Sequence, residues 1–311
     1  SAQQLMGEIV GYVPIQPDGS VRTYVPANVP LAISVVDRNG RRITPRHQNW
    51  LQFKPGEEVT CNGCHDHASG TPHGHPEAPG SAYAGAPASG LFPNTNAALF
   101  ANFTETMAET LTRIDPNELR PSMDLNYVDL WTDPGVRTPD TSFSLTYAPP
   151  GLATPAPNTA ACDQPLPLPT WSSLCRIVIH YETHIHPLWS VNRGAAGANT
   201  CTNCHNAAAP AAELDLTDGP DAAVPEHFNA YRELLFTDTI PGPIDPITML
   251  PTTITIFPSM SPAGALASNT FFSRFATGGT HDGFLTAEEL RLLAEWLDIG
   301  AQYYHDPSVV P

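Results

Sequence analysis

Cys201-Thr202-Asn203-Cys204-His205 is the stretch on which the reading of this sequence turns. Two thiols three positions apart, followed at once by an imidazole, are what covalent attachment of haem c requires. The cysteines add across the two vinyl groups, and the next residue turns a ring nitrogen onto the iron. A second copy, Cys61-Asn62-Gly63-Cys64-His65, uses two more of only 6 cysteines, which argues against coincidence. The sequence therefore predicts two covalently attached haem c groups held by Cys61, Cys64, His65, Cys201, Cys204 and His205, with His65 and His205 as the proximal iron ligands.

Working outward from the second motif, Ile177 to Trp189 leads into it, and Phe228, Tyr231 and Leu235 have helical spacing. The closing segment is the clearest helix. Thr286 and Glu289 form a capping box, Leu285 and Leu290 stand where a hydrophobic staple belongs, and Gly300 suits the left-handed end. Leu290, Leu293, Ala294 and Leu297 line one face. A helix before the motif and a capped helix at the end outline a small α-helical, cytochrome c-like domain over 176–311.

The other end of the chain has a different plan. Residues 8–13, 20–25 and 31–36 are β-branched and aromatic runs bounded by Pro, Gly, Asp or Asn, and Asn39-Gly40 predicts a two-residue hairpin turn. The expectation over 1–60 is a small antiparallel β-sandwich platform carrying the first haem. Residues 61–175 then hold long Pro-rich loops and one helix, capped by Asn96 and showing Leu99, Phe103, Met107, Leu111 and Ile114 on one face. Trp131, Phe143 and Tyr147 are expected to anchor the excursion that follows. Cys162 and Cys175, the two cysteines outside the motifs, are expected to pair and pin it. The fold class is thus mixed and loop-rich, a small β domain followed by a helical one.

Ten histidines and five methionines compete for the two distal iron positions. At the second haem, His281 in Gly278-Gly279-Thr280-His281-Asp282-Gly283 sits in a hinge just before the last helix, with Met260 in Pro258-Ser259-Met260-Ser261-Pro262 as its rival. At the first haem the candidates are His47, beside the expected strands, and His184 or His186, reaching across from the second domain. His67, His73 and His75 lie in a Gly/Pro loop whose irregular spacing suits solvation better than a structural metal site.

A formal charge of -17 argues against nucleic acid and anionic membrane surfaces as partners. No apolar run approaches the roughly 20 residues of a membrane-spanning helix. Haem c attachment and a disulfide both point to a periplasmic or extracellular location. Ser1-Ala2-Gln3-Gln4 has no signal-peptide character, so the expectation is a mature or processed start.

Two blocks carry a family resemblance. Val25-Pro26-Ala27-Asn28 through Trp50, Pro55-Gly56-Glu57 and Cys61 to His65 resemble the middle, first-haem region of the hydrazine synthase alpha subunit family. His184-Ile185-His186-Pro187-Leu188-Trp189, Cys201 to His205, Thr280-His281-Asp282-Gly283 and Leu290 to Tyr304 resemble its C-terminal cytochrome domain. The resemblance implies a catalytic first haem with an unusual tyrosine ligand, and a bis-histidine electron-transfer haem whose distal ligand falls at His281. Four residues after His65 stands Ser69, which cannot replace that tyrosine, and the N-terminal propeller of such proteins has no counterpart here.

The leading reading is a dihaem c-type cytochrome for electron transfer, serving redox partner proteins or extracellular acceptors, as a homo-oligomer or a subunit of a polymeric conduit. The competing reading is a redox enzyme acting on a small nitrogen or peroxide substrate at a high-spin first haem, with His67, His73 or His75 in acid-base roles. A structural surface protein gives no reason for two attachment motifs.

Overall fold

The computed structural model describes residues 7–44, 50–61, 84–147, 152–157, 162, 175–194 and 200–304. Among these, long stretches of irregular chain connect a few short elements. The α-helices are α1 (Met107–Ile114), α2 (Asn229–Leu235), α3 (Asn269–Ser273) and α4 (Ala287–Asp298). The strands form two antiparallel pairs, β1 (Leu125–Tyr127) with β2 (Phe143–Leu145), and β3 (Asp238–Ile244) with β4 (Pro251–Ile256).

The core is built around α4. Thr286 caps it through the expected capping box with Glu289, and Gly300 follows its end at φ 108°. The helix is buried on more than the expected face. Leu292, Leu293, Ala294, Trp296 and Leu297 are all inside, whereas Leu290 is half-buried. Against it pack Ala230, Tyr231, Leu234 and Leu235 of α2, Phe271 and Phe272 of α3, and Ile177, Ile179 and Tyr181. Tyr181 lies at the centre, with Tyr231, Tyr303 and Trp296 at ring separations of 5.0, 5.3 and 5.4 Å. The stretch before the second motif is a wide π turn, Tyr181–Ile185, followed by a 3-10 turn, His186–Trp189, with Pro187 in its first turn.

Burial of most of α4 brings three charged residues inside, Glu289, Arg291 and Glu295. Arg291 and Glu295 pair at 2.6 Å, one turn apart. The Glu295 carboxylate also accepts from the Tyr12 hydroxyl at 2.5 Å and from the Tyr147 hydroxyl. The guanidinium donates to the carbonyls of Leu145 and Met123. One buried charge pair therefore ties the N-terminal segment and the β1–β2 region to the last helix.

The β-sandwich expected over 1–60 is not what the described residues form. Ile9 bridges Ile177, Tyr12 bridges Ser122, and Leu31 bridges Leu51, each as a single rung. Pro14, Pro17, Pro26 and Pro30 break the segment between its short β-branched runs, and the runs meet their partners only as isolated bridges. Val21 and Tyr24 accordingly stay exposed. The segment instead straps the C-terminal part. Gly7 N–H donates to Gln302 Oε1 at 2.8 Å, and Arg42 N–H donates to Asp298 Oδ2 at 2.7 Å. The hairpin at Asp37–Arg41 does form, but only Gly40 has positive φ, at 77°, so the turn is a three-residue loop rather than the two-residue one expected.

α1 is shorter than expected. Thr106, not Asn96, caps it, with Glu109 completing a capping box, and Asn96 closes a local turn onto Ala98 N–H. Thr104 at φ 70° precedes the cap, so Leu99 and Phe103 lie outside the helix and Phe103 is exposed. Met107 and Leu111 pack with Ala86, Phe92, Ala101 and Trp131 in a second small core. Tyr147 is buried in the main core and Trp131 in the small one, while Phe143 is half-buried and stacks on Tyr127 at 5.8 Å. The Cys162 and Cys175 sulfurs are bonded, with Cα atoms 5.4 Å apart. The β3–β4 pair interrupts the helical plan expected for the last third. The β-branched run from Thr252 to Ile256 favours strand over helix there.

Candidate functional site

The second motif occupies one tight turn. Cys201–Asn203 is a 3-10 turn, closed by Cys204 N–H donating to Cys201 O at 3.2 Å and His205 N–H donating to the same carbonyl at 2.9 Å. This brings both thiols and the imidazole onto adjacent steps of one coil. Cys201 is half-buried against the main core, and Cys204 is exposed. Burial pushes the Cys201 thiol above its ordinary value, and the Arg193 guanidinium pulls the other way. Arg193 Nη1 lies 4.0 Å from Cys201 Sγ, and Nη2 of the same guanidinium donates at 2.7 Å to Glu289, which completes the capping box of α4.

Beyond the coil the chain turns back to orient His205. Leu216 N–H donates to His205 O at 3.1 Å, and His205 Nδ1 stands 3.2 Å from Leu214 O. A carbonyl only accepts, so Nδ1 carries the proton and the lone pair is left on Nε2. The same segment is fastened to α2 by Asp215 N–H, which donates to the Glu233 carboxylate.

His281 comes from the loop after α3. The loop is wound closely on the end of that helix, with His281 N–H donating to Arg274 O at 2.8 Å. A Cβ at Gly279 would stand 2.3 Å from Arg274 O, so only glycine fits there. Gly278 N–H donates to Asp282 Oδ2 at 2.8 Å, and the rings of Phe275 and Phe284 flank the imidazole at 5.5 and 5.9 Å. His281 Nδ1 is 2.8 Å from Thr280 Oγ1. Burial, then His205 and Arg274, hold its pKa below the ordinary value, which favours the neutral ring that can donate a lone pair.

The two imidazoles lie close to one another. Their centroids are 6.2 Å apart and their planes 29° from parallel. Two imidazoles bound to one metal from opposite sides span about 6 Å between centroids, from metal–nitrogen bonds of ~2.0 Å plus the ring radii. Among the described residues no three His, Cys, Asp or Glu side chains converge as a cage for a bare ion. The pair thus suits a metal whose remaining positions are filled by a planar ring, and the neighbouring thiols suit that ring's covalent attachment. Met260, the rival to His281, is packed in the main core with its N–H donating to Leu234 O at 2.9 Å.

The other candidates are placed unevenly. His184 Nδ1 accepts from His180 N–H at 2.9 Å, which puts the neutral ring's proton on Nε2. His186 lies against Phe228 at 4.5 Å with Nε2 at 3.4 Å from Thr217 O, and burial pushes its pKa down. Of the first motif Cys61 is described and exposed. Cys64, His65, His47, His67, His73 and His75 lie outside the described residues. The orienting roles of Leu214 O, Thr280 and Gly279 were missed from sequence; the Gly-Gly step before Thr280-His281 was the available signal for the last two.

No curated protein and no solved structure matches the chain. A family comparison matches its N-terminal fifth, a stretch that runs through the first Cys-x-x-Cys-His motif and includes the strap across α4. Residues 2–66 are similar to the hydrazine synthase alpha subunit middle domain.

Proposed function

We propose that this chain is a dihaem c-type cytochrome that transfers electrons outside the cytoplasm. The observation that carries the reading is the His205–His281 pair, 6.2 Å apart behind a Cys-x-x-Cys turn, with both Nδ1 atoms engaged elsewhere. In this reading Cys201 and Cys204 would hold the second haem, and His205 and His281 would both ligate its iron. The haem supplies one-electron chemistry at low potential, because imidazole on both sides stabilises the oxidised iron more than a thioether would. The chain's own contribution is to fix both rings and to deny a substrate access to that iron. Cys61, Cys64 and His65 would hold the first haem, with His47, His184, His186 or no protein residue as the second ligand of its iron. The partners are redox proteins or extracellular acceptors, reached by a single carrier or by a homopolymer. The strongly acidic chain is suited to basic or metal-bearing surfaces. Among the described residues no helix is long and apolar enough to cross a membrane.

A second reading is favoured by one observation, the similarity of residues 2–66 to a domain named for hydrazine synthase. There the first haem would be high-spin and act on a small nitrogen or peroxide substrate. A pyridine haemochrome assay combined with intact mass separates these outcomes from a haem-free protein: two thioether-linked haems are expected. Mass equal to the bare polypeptide after secretion through a haem-attachment system would overturn both readings.

A further inference from the structure

We infer that Thr280 is a positioning residue that fixes which nitrogen of His281 meets the iron; this rests on the bis-histidine reading of the second haem. The backbone of the loop is already pinned on both sides of the ligand. His281 N–H donates to Arg274 O at 2.8 Å and Phe284 N–H donates to His281 O at 3.1 Å. Gly279 is pressed onto the carbonyls of Ser273 and Arg274. What these contacts leave free is rotation of the ring about its Cβ–Cγ bond. A half-turn exchanges Nδ1 with Cδ2 and Nε2 with Cε1, so that carbon would face the partner imidazole. At 2.8 Å the Thr280 hydroxyl favours the orientation with Nδ1 towards it and Nε2 on the opposite edge.

The bond has a direction once Nε2 is committed to a metal. A ligating Nε2 has no proton, so Nδ1 must carry it and Thr280 Oγ1 must accept. Accepting that hydrogen bond makes the imidazole a stronger donor to iron and favours the ferric state. His205 receives the same treatment from a backbone carbonyl, which no substitution can remove. His281 receives it from a side chain on an exposed residue, which makes Thr280 the adjustable half of the pair.

The test uses the full-length, haem-loaded protein with Thr280→Val, which keeps shape and removes the acceptor, and Thr280→Ser, which keeps the hydroxyl. In Thr280→Val the second haem should stay low-spin in the resting oxidised protein, its reduction potential should rise, and carbon monoxide should displace His281 from the reduced iron roughly tenfold faster. Thr280→Ser should behave as wild type. If wild type shows the low-spin second haem but Thr280→Val leaves potential and carbon monoxide binding unchanged, the role of Thr280 is refuted while the bis-histidine reading stands. If Thr280→Ser is shifted as far as Thr280→Val, packing and not the hydrogen bond is responsible, and the role is again refuted. If wild type itself lacks a low-spin second haem, both fall together.

Discussion

Glu295→Gln tests most sharply how this loop-rich chain is held together. The Glu295 carboxylate is buried in the middle of α4 and accepts from Arg291 Nε at 2.6 Å, from the Tyr12 hydroxyl at 2.5 Å and from the Tyr147 hydroxyl. Burial pushes its pKa up, while the guanidinium and the two phenols pull the other way. With a guanidinium at 2.6 Å we treat the pair as ionised. Glutamine keeps the shape and removes the charge. Arg291 is then left in the core with the carbonyls of Leu145 and Met123 and the ring faces of Tyr147, at 4.2 Å, and Tyr12, at 5.0 Å.

Breaking one side of a buried ion pair costs about 3–5 kcal/mol, and the cation–π contacts that survive place this case near 3 kcal/mol. That is a large share of a typical folding stability of about 5–15 kcal/mol. Urea unfolding followed by far-ultraviolet circular dichroism at pH 7 measures it, with the slope unchanged. The double variant Arg291→Met/Glu295→Leu should recover most of the loss, because the penalty comes from an uncompensated charge and not from lost attraction. A single variant that loses less than about 1 kcal/mol, or a double variant no more stable than the single, would refute the reasoning.

The remaining expectations are as follows. Gly279→Ala places a Cβ 2.3 Å from Arg274 O, so it should move His281 and convert the second haem to high-spin without loss of covalent attachment, read by the Soret band. The Cys162–Cys175 bond spans 13 positions, and its reduction should cost about 3 kcal/mol by loop-closure entropy, measured by urea unfolding with and without reductant. Arg113 at 2.7 Å holds the Glu105 carboxyl down at about 2, below its ordinary 4.5. Its folded pKa is depressed, so its contribution is present above pH 4.5 and is lost as pH falls toward about 2. Glu105→Gln should remove about 1–2 kcal/mol of that acid-side loss, after allowing for the partly exposed Arg113, in a pH series of thermal unfolding.

The sequence disclosed the parts of the molecule that short-range rules govern. The capping box at Thr286 and Glu289 depends on four consecutive residues, and α4 starts where it says. The same rule applied to Thr106 and Glu109 would have placed α1 correctly; the apolar spacing back to Leu99 masked it. Non-local features were not legible. Arg291 and Glu295 look in sequence like an exposed helical pair, and only the approach of Tyr12 and Tyr147 makes them a buried hub. The N-terminal β-branched runs promised strands, and the described residues form single bridges instead. At the candidate site, the place of His281 before the last helix is a feature of the sequence, whereas its 6.2 Å separation from His205 and the Leu214 carbonyl beside His205 arise only from folding.

The most direct measurement of the central claim is the electron paramagnetic resonance spectrum of the oxidised, haem-loaded protein beside that of His281→Ala. Wild type should show a low-spin signal from the second haem with nitrogen on both axial sides. His281→Ala should turn that signal high-spin while the thioether bonds to Cys201 and Cys204 persist. A low-spin signal unchanged in His281→Ala would show that another residue completes the iron's coordination, and would contradict the account.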